Sequence, residues 1–183
     1  MNHRYVLIVL MILFSAGCKM LTGPDKTGEF LLSSEKSGTE VYYLFGYSYE
    51  DSDFYRFPYE KDPVPDIINE GFRVLVGDGT LELPGFQTPG RTNGFAKLGE
   101  FESLSEARTY YKGYKKVEAN LQFVVESDTV EAFQVWVQKT STGNYAKLLV
   151  KEVASLESEE GNKYSEALLE YTYQPNGSTE FPD

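Results

Sequence analysis

Histidine and cysteine are nearly absent from this chain of 183 residues, which has one of each, His3 and Cys18. Both lie close to the N-terminus. The rest of the chain therefore has no histidine for a Ser-His-Asp triad and no Cys/His set for a zinc ion. Cys18 also lacks a second thiol with which to form a disulfide. These absences favour a protein that is not an enzyme.

Basic residues are also scarce, since 17 Lys and Arg stand against 28 Asp and Glu, which gives a formal net charge of -11. An acidic chain repels the phosphates of nucleic acids and anionic lipid head groups. We therefore expect no nucleic-acid partner.

Only one long hydrophobic run is present, at residues 5–14. A helix needs roughly 20 apolar residues to span a bilayer, so this run is too short for a transmembrane anchor. Arg4 precedes it and the small residues 15–17 follow it, which is the layout of a secretory signal. We predict that residues 1–17 are a cleaved signal peptide with a helical apolar core.

The small residues end directly on Cys18. The stretch F-S-A-G-C resembles a bacterial lipobox, in which the chain is cut before the cysteine and the cysteine is acylated with palmitate or a similar fatty acid. Leu is commoner than Ser at the first small position. The alternative is an unprocessed cysteine at the end of a core helix. Because several acyl chains on one residue hold a protein firmly on a membrane, we predict a lipoprotein of the bacterial cell envelope.

Residues 18–29 show no hydrophobic periodicity and include Gly23, Pro24 and Gly28. This composition is typical of a linker, so residues 18–29 are predicted to form a flexible tether. Residues 30–183 are then the folded domain.

Short apolar runs in this domain alternate with polar residues and are separated by turn residues, which predicts an all-β, sandwich-like fold of antiparallel strands and hairpins. The clearest runs are residues 130–139 and 145–153, with a turn between them. Residues 72–76 and 80–83 predict a second hairpin. Residues 103–115 are the one helix candidate, with Ser103 or Ser105 as N-cap.

Two aromatic features leave their role open. Tyr42 to Tyr59 is rich in aromatic residues and contains Glu50, Asp51 and Asp53, which suits either a sugar-stacking cleft with an acid pair or a sandwich core beside a solvated turn. The D-S-D run lacks the glycine and distal glutamate of a complete calcium loop. Trp136 lies on the polar face of its strand, so it is either exposed for a ligand or covered by another element.

The C-terminal third carries a more specific pattern. N-Y-A-K-L-L-V is followed by L-L-E-Y-T-Y-Q-P-N-G-S-T-E-F. This pattern resembles the HmuY-like haem-binding lipoproteins of Bacteroidetes, in which a G-x-Y-A-K strand pairs with a closing strand that ends in Q-P-x-G-S. The matching residues are Gly143, Tyr145, Ala146 and Lys147, then Gln174, Pro175, Gly177 and Ser178.

The resemblance implies an all-β domain, a lipid anchor at the outer membrane and haem as a ligand. The family's axial His and Met ligands are missing, because Met20 is the only methionine after the signal and lies in the tether. Tyrosine can also ligate ferric haem. Tyr110 and Tyr114 are the candidates, since their spacing places them on one face of the predicted helix.

The sequence therefore predicts a membrane-anchored binding module whose cofactor, if it has one, is haem or a related molecule. A carbohydrate-binding or carbohydrate-active surface lipoprotein is the second reading. A structural component that binds an envelope protein is the third.

Overall fold

The computed structural model describes residues 26–182 apart from residues 40 and 78. Within that part the chain forms antiparallel strands and one short helix, which confirms the predicted fold class. The elements are β1 (Thr27–Ser33), β2 (Leu44–Ser48), β3 (Asp53–Phe57), β4 (Ile68–Asn69), β5 (Phe72–Val76), β6 (Gly79–Leu83), β7 (Gly85–Gln87), β8 (Gly94–Glu100), α1 (Leu104–Gly113), β9 (Glu126–Thr129), β10 (Gln134–Lys139), β11 (Tyr145–Glu157) and β12 (Lys163–Gln174). The predicted signal peptide, Cys18 and most of the tether lie outside the described residues.

The main sheet has five strands in the order β1-β12-β11-β10-β8. Its centre is the long hairpin of β11 and β12, in which Tyr145 pairs with Gln174. The C-terminal alternation thus forms the strands that it predicts. Smaller sheets are formed by β2 and β3, by β4, β7 and β9, and by β5 and β6.

Both faces of the main sheet are buried in its central part. On one face, Leu148 and Leu169 join a large core that also includes Tyr47 of β2 and Phe86 of β7. On the other face, Leu149 packs with Tyr111 of α1. The domain is therefore layered, with α1 on one side of the sheet and the smaller sheets on the other.

Trp136 is buried, with 2% of its surface exposed. Its indole N–H donates to Oε1 of Gln134 at 3.1 Å. Gln134 and Gln138 on the same face are buried as well. Of the two alternatives for Trp136, the structure shows the covered one, because the smaller sheets pack on this face and its amides have internal partners.

Helix α1 begins where the sequence predicts. The Ser103 side chain accepts a hydrogen bond from the Glu106 backbone N–H at 3.3 Å, which satisfies one free donor of the first turn. Ala107 and Tyr111 form its buried face.

The predicted tether boundary needs a correction, because residues 27–29 belong to β1 and pair with residues 170–172 of β12. Gly28 suggested linker flexibility, but it lies against the Tyr171 ring, where an added Cβ would come within 2.8 Å of a ring carbon. Glu29 accepts a hydrogen bond from Lys151 at 2.7 Å. Residues 27–29 are polar or glycine, so they lack the hydrophobic alternation that predicts a strand, although they form the first part of β1.

The aromatic run at positions 41–49 does not bury one continuous face. Tyr47 and Tyr49 lie in the core, whereas Val41 and Phe45 are exposed. The reason is that β2 is short and belongs to a separate two-stranded sheet with β3.

Candidate functional site

Tyr110 and Tyr114 lie side by side at the end of α1, as their spacing predicts. Their ring centroids are 6.3 Å apart, with an interplanar angle of 24°. Tyr110 is 38% exposed, and its hydroxyl donates weakly to the Leu98 carbonyl at 3.4 Å. Tyr114 is buried, and its hydroxyl forms no hydrogen bond of normal geometry.

Of this pair, Tyr114 is poorly placed to be an axial haem ligand, because it is buried. A tyrosine that binds ferric iron does so as the phenolate. Burial raises the pKa of Tyr114, and the negative charge of Glu118 acts in the same direction, although the Glu118 backbone N–H offsets part of the rise. Ionisation of the Tyr114 hydroxyl, which iron binding would require, is therefore less favourable than that of an exposed tyrosine.

Lys147 is the buried cation of this region, with 3% of its surface exposed. Its ammonium donates to the carbonyls of Tyr111 and Tyr114, both at 3.0 Å, and thereby caps the C-terminus of α1. It also lies 4.6 Å from the Tyr111 ring centroid. Burial lowers the pKa of Lys147 to about 8, and the charge of Lys115 acts in the same direction. The lysine of the Y-A-K motif, which lies in β11, thus links the C-terminus of α1 to the main sheet through hydrogen bonds.

The acids of the aromatic segment do not form a sugar cleft with Tyr47 and Tyr49, because those rings lie in the core. Glu50 accepts a hydrogen bond from the Tyr173 hydroxyl at 2.9 Å. The Asp51 carboxylate accepts from Ser48 at 3.1 Å. Of the two interpretations of this segment, the structure supports the sandwich core for Tyr47 and Tyr49, because both rings are buried.

A buried polar network lies beside these acids. The Tyr49 hydroxyl donates to Gln138 at 2.8 Å, and the Asp66 carboxylate accepts from the Tyr49 backbone N–H at 2.9 Å. Burial raises the pKa of Asp66 to about 6, and the charges of Glu50 and Asp51 raise it further, against the effect of the Tyr49 N–H. This network lies at one end of the main sheet, near Lys147 and Tyr173. We call this end the closed end and define it by Tyr49, Asp66, Gln138, Lys147 and Tyr173.

A large cleft opens at the opposite end of the main sheet, with a volume of about 1010 Å³. Small-molecule sites commonly measure about 300 to 1,000 Å³, so the cleft lies at the upper end of that range. We call it the polar cleft. Its walls come from residues 34–36, 38, 39 and 42, residues 70, 71 and 73, Glu82 of β6, and residues 158–160 and 162–164.

Glu82 forms the floor of the polar cleft and is largely buried. Its Oε1 accepts a hydrogen bond from the Ser34 hydroxyl at 3.1 Å, and its Oε2 lies 3.6 Å from Nε of Arg73. Gly71 leaves the necessary space, because an added Cβ would lie 2.4 Å from Oε1 of Glu82. The carboxylate is thus held in one place.

Asn69 supports this floor from beneath. Its side-chain N–H donates to the Ser165 carbonyl at 3.1 Å, while its oxygen accepts from the backbone N–H groups of Gly71 and Gly85 at 3.1 and 3.0 Å. Ser34 also accepts a hydrogen bond from the Ser165 backbone N–H at 2.8 Å. A rigid, fully bonded base therefore underlies an open cleft.

The rim of the polar cleft carries charges of both signs and two tyrosines. Tyr42 is 62% exposed, and Tyr164 stands at the start of β12. Burial raises the pKa of Tyr164, and the neighbouring charges of Glu35 and Glu166 act in the same direction. The remaining charged lining residues are Glu35, Lys36, Glu70, Glu159, Glu160 and Lys163.

Local sequence patterns contain almost no sign of this site. Its residues come from segments far apart in the chain, and the isolated glutamate in the L-E-L run of β6 is the one local signal. A charged residue that interrupts an apolar strand often has a specific internal partner, and Glu82 has two.

Two features are absent from residues 26–182 apart from residues 40 and 78, namely a metal-binding cluster and a membrane-spanning helix. This part of the chain contains no group of three or more His, Cys, Asp or Glu residues placed to hold a metal ion. The same part contains no helix with the length and hydropathy needed to cross a membrane.

Comparison with known proteins adds no family to these observations. The chain matches no protein-family model, and no curated protein is significantly similar to it. The likeness of the C-terminal third to the HmuY-like proteins therefore rests on its motif residues.

Proposed function

We propose that this chain is a lipid-anchored binding protein of the bacterial envelope, without catalytic activity, that presents the polar cleft away from the membrane. The HmuY-like resemblance favours the outer membrane as its location. The observation that supports the proposal is that β1 begins nine residues after Cys18 in the sequence and ends next to the cleft floor.

The geometry of this arrangement is simple. β1 begins at Thr27, which pairs with Thr172, and ends at Ser33, next to Ser34 in the cleft floor. Seven strand residues span about 20 Å at the usual rise. Cys18 lies nine residues before Thr27, so a fully extended segment keeps the start of β1 within about 30 Å of the lipid. An anchored domain can therefore hold its closed end near the bilayer and its cleft outward.

Metabolic labelling with an alkyne fatty acid tests the anchor. We expect the natural chain to be labelled and Cys18→Ala to be unlabelled, because Cys18 is the only thiol. Ser15→Leu is the matched control, since it changes the same signal toward the commoner lipobox residue and should keep the label. Equal labelling of Cys18→Ala would overturn the lipoprotein assignment.

Fluorescence quenching by labelled head groups tests the orientation. In vesicles that carry the lipidated protein, a dye on Lys26→Cys should be quenched more strongly than the same dye on Thr39→Cys. Both positions are exposed, and Cys18 is blocked by its lipid, so each variant has one reactive thiol. Equal quenching, or stronger quenching at residue 39, would contradict the outward cleft.

Haem is the ligand that the family resemblance implies, and titration of the mature protein with haemin tests whether it binds. We expect no ferric spectrum with Tyr114 as the ligand, because its hydroxyl is buried and burial opposes the ionisation that iron binding requires. A Soret shift that is lost in Tyr110→Phe or Tyr114→Phe would instead establish haem binding at α1.

A further inference from the structure

We propose that the polar cleft binds a neutral, polyhydroxylated ligand, namely an oligosaccharide. The proposal rests on the proposed function to the extent that the cleft is the ligand site of the domain. Charge, the scarcity of apolar surface and the rigid floor each support it.

The charges that line the cleft favour a ligand that both donates and accepts hydrogen bonds. Five carboxylates and three cations line it. An anionic ligand would meet the excess of negative charge, and a polycation would meet Lys36, Lys163 and Arg73. A sugar hydroxyl can donate to a carboxylate and accept from an ammonium or guanidinium group. Mixed charges spread along one cleft therefore suit a polyol better than an ion of either sign.

Large apolar side chains are few in the cleft. Among the described residues that line it there is no Val, Ile, Leu, Met or Phe, and the aromatic ones are Tyr42 and Tyr164. A lipid tail or a porphyrin would leave its large apolar surface without partners there. A sugar ring has an apolar C–H face and a polar edge, which match the ring and the hydroxyl of a tyrosine. Tyr42 is exposed enough to offer its ring face to such a ligand.

The floor supplies a preorganised acceptor. Glu82 is already fixed by Ser34 and faces Arg73, so a hydroxyl that reaches it meets an acceptor whose position is set before binding. Fixing a polar group in advance reduces the entropy that binding would otherwise cost. The cleft volume leaves room for several sugar units along its length.

Isothermal titration of the mature protein, solubilised in a zwitterionic detergent without sugar groups, tests the proposal. The probes are the neutral pentasaccharides of the malto, cello, xylo, manno and N-acetylglucosamine series, with spermine and pentagalacturonate as charged probes. We expect at least one neutral pentasaccharide to bind and neither charged probe to compete with it. Tyr42→Ala should weaken that binding at least tenfold, since it removes the exposed ring.

Tyr110→Ala is the matched control, because it removes an exposed tyrosine from α1, which does not line the cleft. It should leave the affinity unchanged. Tyr42→Ala is expected to fold, and its thermal unfolding should coincide with that of the natural protein.

The other outcomes are decisive. Failure of every neutral pentasaccharide to bind, or binding that Tyr42→Ala does not weaken, overturns the saccharide proposal. Spermine binding that Tyr42→Ala weakens would also overturn it and would assign the cleft to cations, while the proposed binding function would stand. The labelling and quenching experiments fail or succeed independently of the sugar titration, so the two proposals can be separated.

Discussion

The two ends of the main sheet use polar residues in opposite ways. At the closed end, Tyr49, Asp66 and Lys147 are buried or partly buried, and their polar atoms bind other groups of the protein. At the polar cleft, Glu82 is held by internal partners, but Tyr42 and the charged rim face solvent. The difference indicates that the closed end contributes stability and that the exposed side chains of the cleft end contribute little to it. Substitutions at the two ends should therefore separate these contributions.

The largest contrast should come from two tyrosines seven residues apart. Tyr49→Ala should reduce the free energy of unfolding by about 3–5 kcal/mol, the usual cost of truncating a buried aromatic ring. Tyr42→Ala should change it by less than about 0.5 kcal/mol, because an exposed ring loses few contacts. Urea unfolding measures both. Similar losses for the two variants would erase the distinction between the ends.

Lys147→Met should cost about 2–3 kcal/mol, because it leaves the carbonyls of Tyr111 and Tyr114 without their donor. Lys116→Met is the control, since Lys116 forms an exposed ion pair with Glu180, and exposed pairs contribute about 0–1 kcal/mol. Urea unfolding at pH 7 should show a clear loss only for Lys147→Met. An equal effect of the two variants would mean that the helix is not held by this cap.

The pKa of Lys147 also predicts a pH dependence. The folded-state pKa is about 8, below the ordinary value of 10.5, so the unfolded chain binds more protons between these values. Stability should therefore rise from pH 8 to pH 10, by about 1–2 kcal/mol relative to Lys147→Met. Above pH 10 the trend should reverse, because burial raises the pKa of Tyr111 and keeps it protonated in the folded state. Parallel curves for the natural protein and the variant would contradict this account.

Asp66→Asn should increase stability at pH 7 by about 1–2 kcal/mol, because the folded-state pKa of about 6 lies above the ordinary value of 3.8. The ionised carboxylate is disfavoured in the folded state, so the natural protein should lose stability as the pH rises from about 4 to 6. The asparagine oxygen can still accept from the Tyr49 N–H. Thermal unfolding at pH 4 and pH 7 should show the gain only at the higher pH.

The smallest contrast concerns two glycines with positive φ. Gly71→Ala and Gly77→Ala both place a side chain in the left-handed region, at φ +72 and +62, which should cost about 1 kcal/mol each. An added Cβ at residue 71 also meets Glu82, whereas nothing lies within 4 Å at residue 77. The excess loss for Gly71→Ala, measured by urea unfolding, reports the contact with the cleft floor. No excess would show that Glu82 is free to move.

Local patterns in the sequence were sufficient to predict the β5–β6 hairpin, the β10–β11 hairpin and α1, but not the start of β1. The alternation around Leu148 and the N-cap at Ser103 act within a few residues, so they can be read directly. The environment of Trp136 could not be predicted, because it depends on sheets formed by other segments. The polar cleft escaped prediction for the same reason, since Ser34 and Ser165 meet across 131 positions of the chain.

The pairing of β1 with β12 also determines how the domain bears a mechanical load. A lipid anchor would pull on the chain before Thr27, while a bound ligand would pull near Ser34, so the force would run along the axis of β1. Along that axis the seven residue pairs from Thr27 to Ser33 share the load in shear. The strand therefore resists detachment as a whole, whereas a force across its axis would open the pairs one at a time.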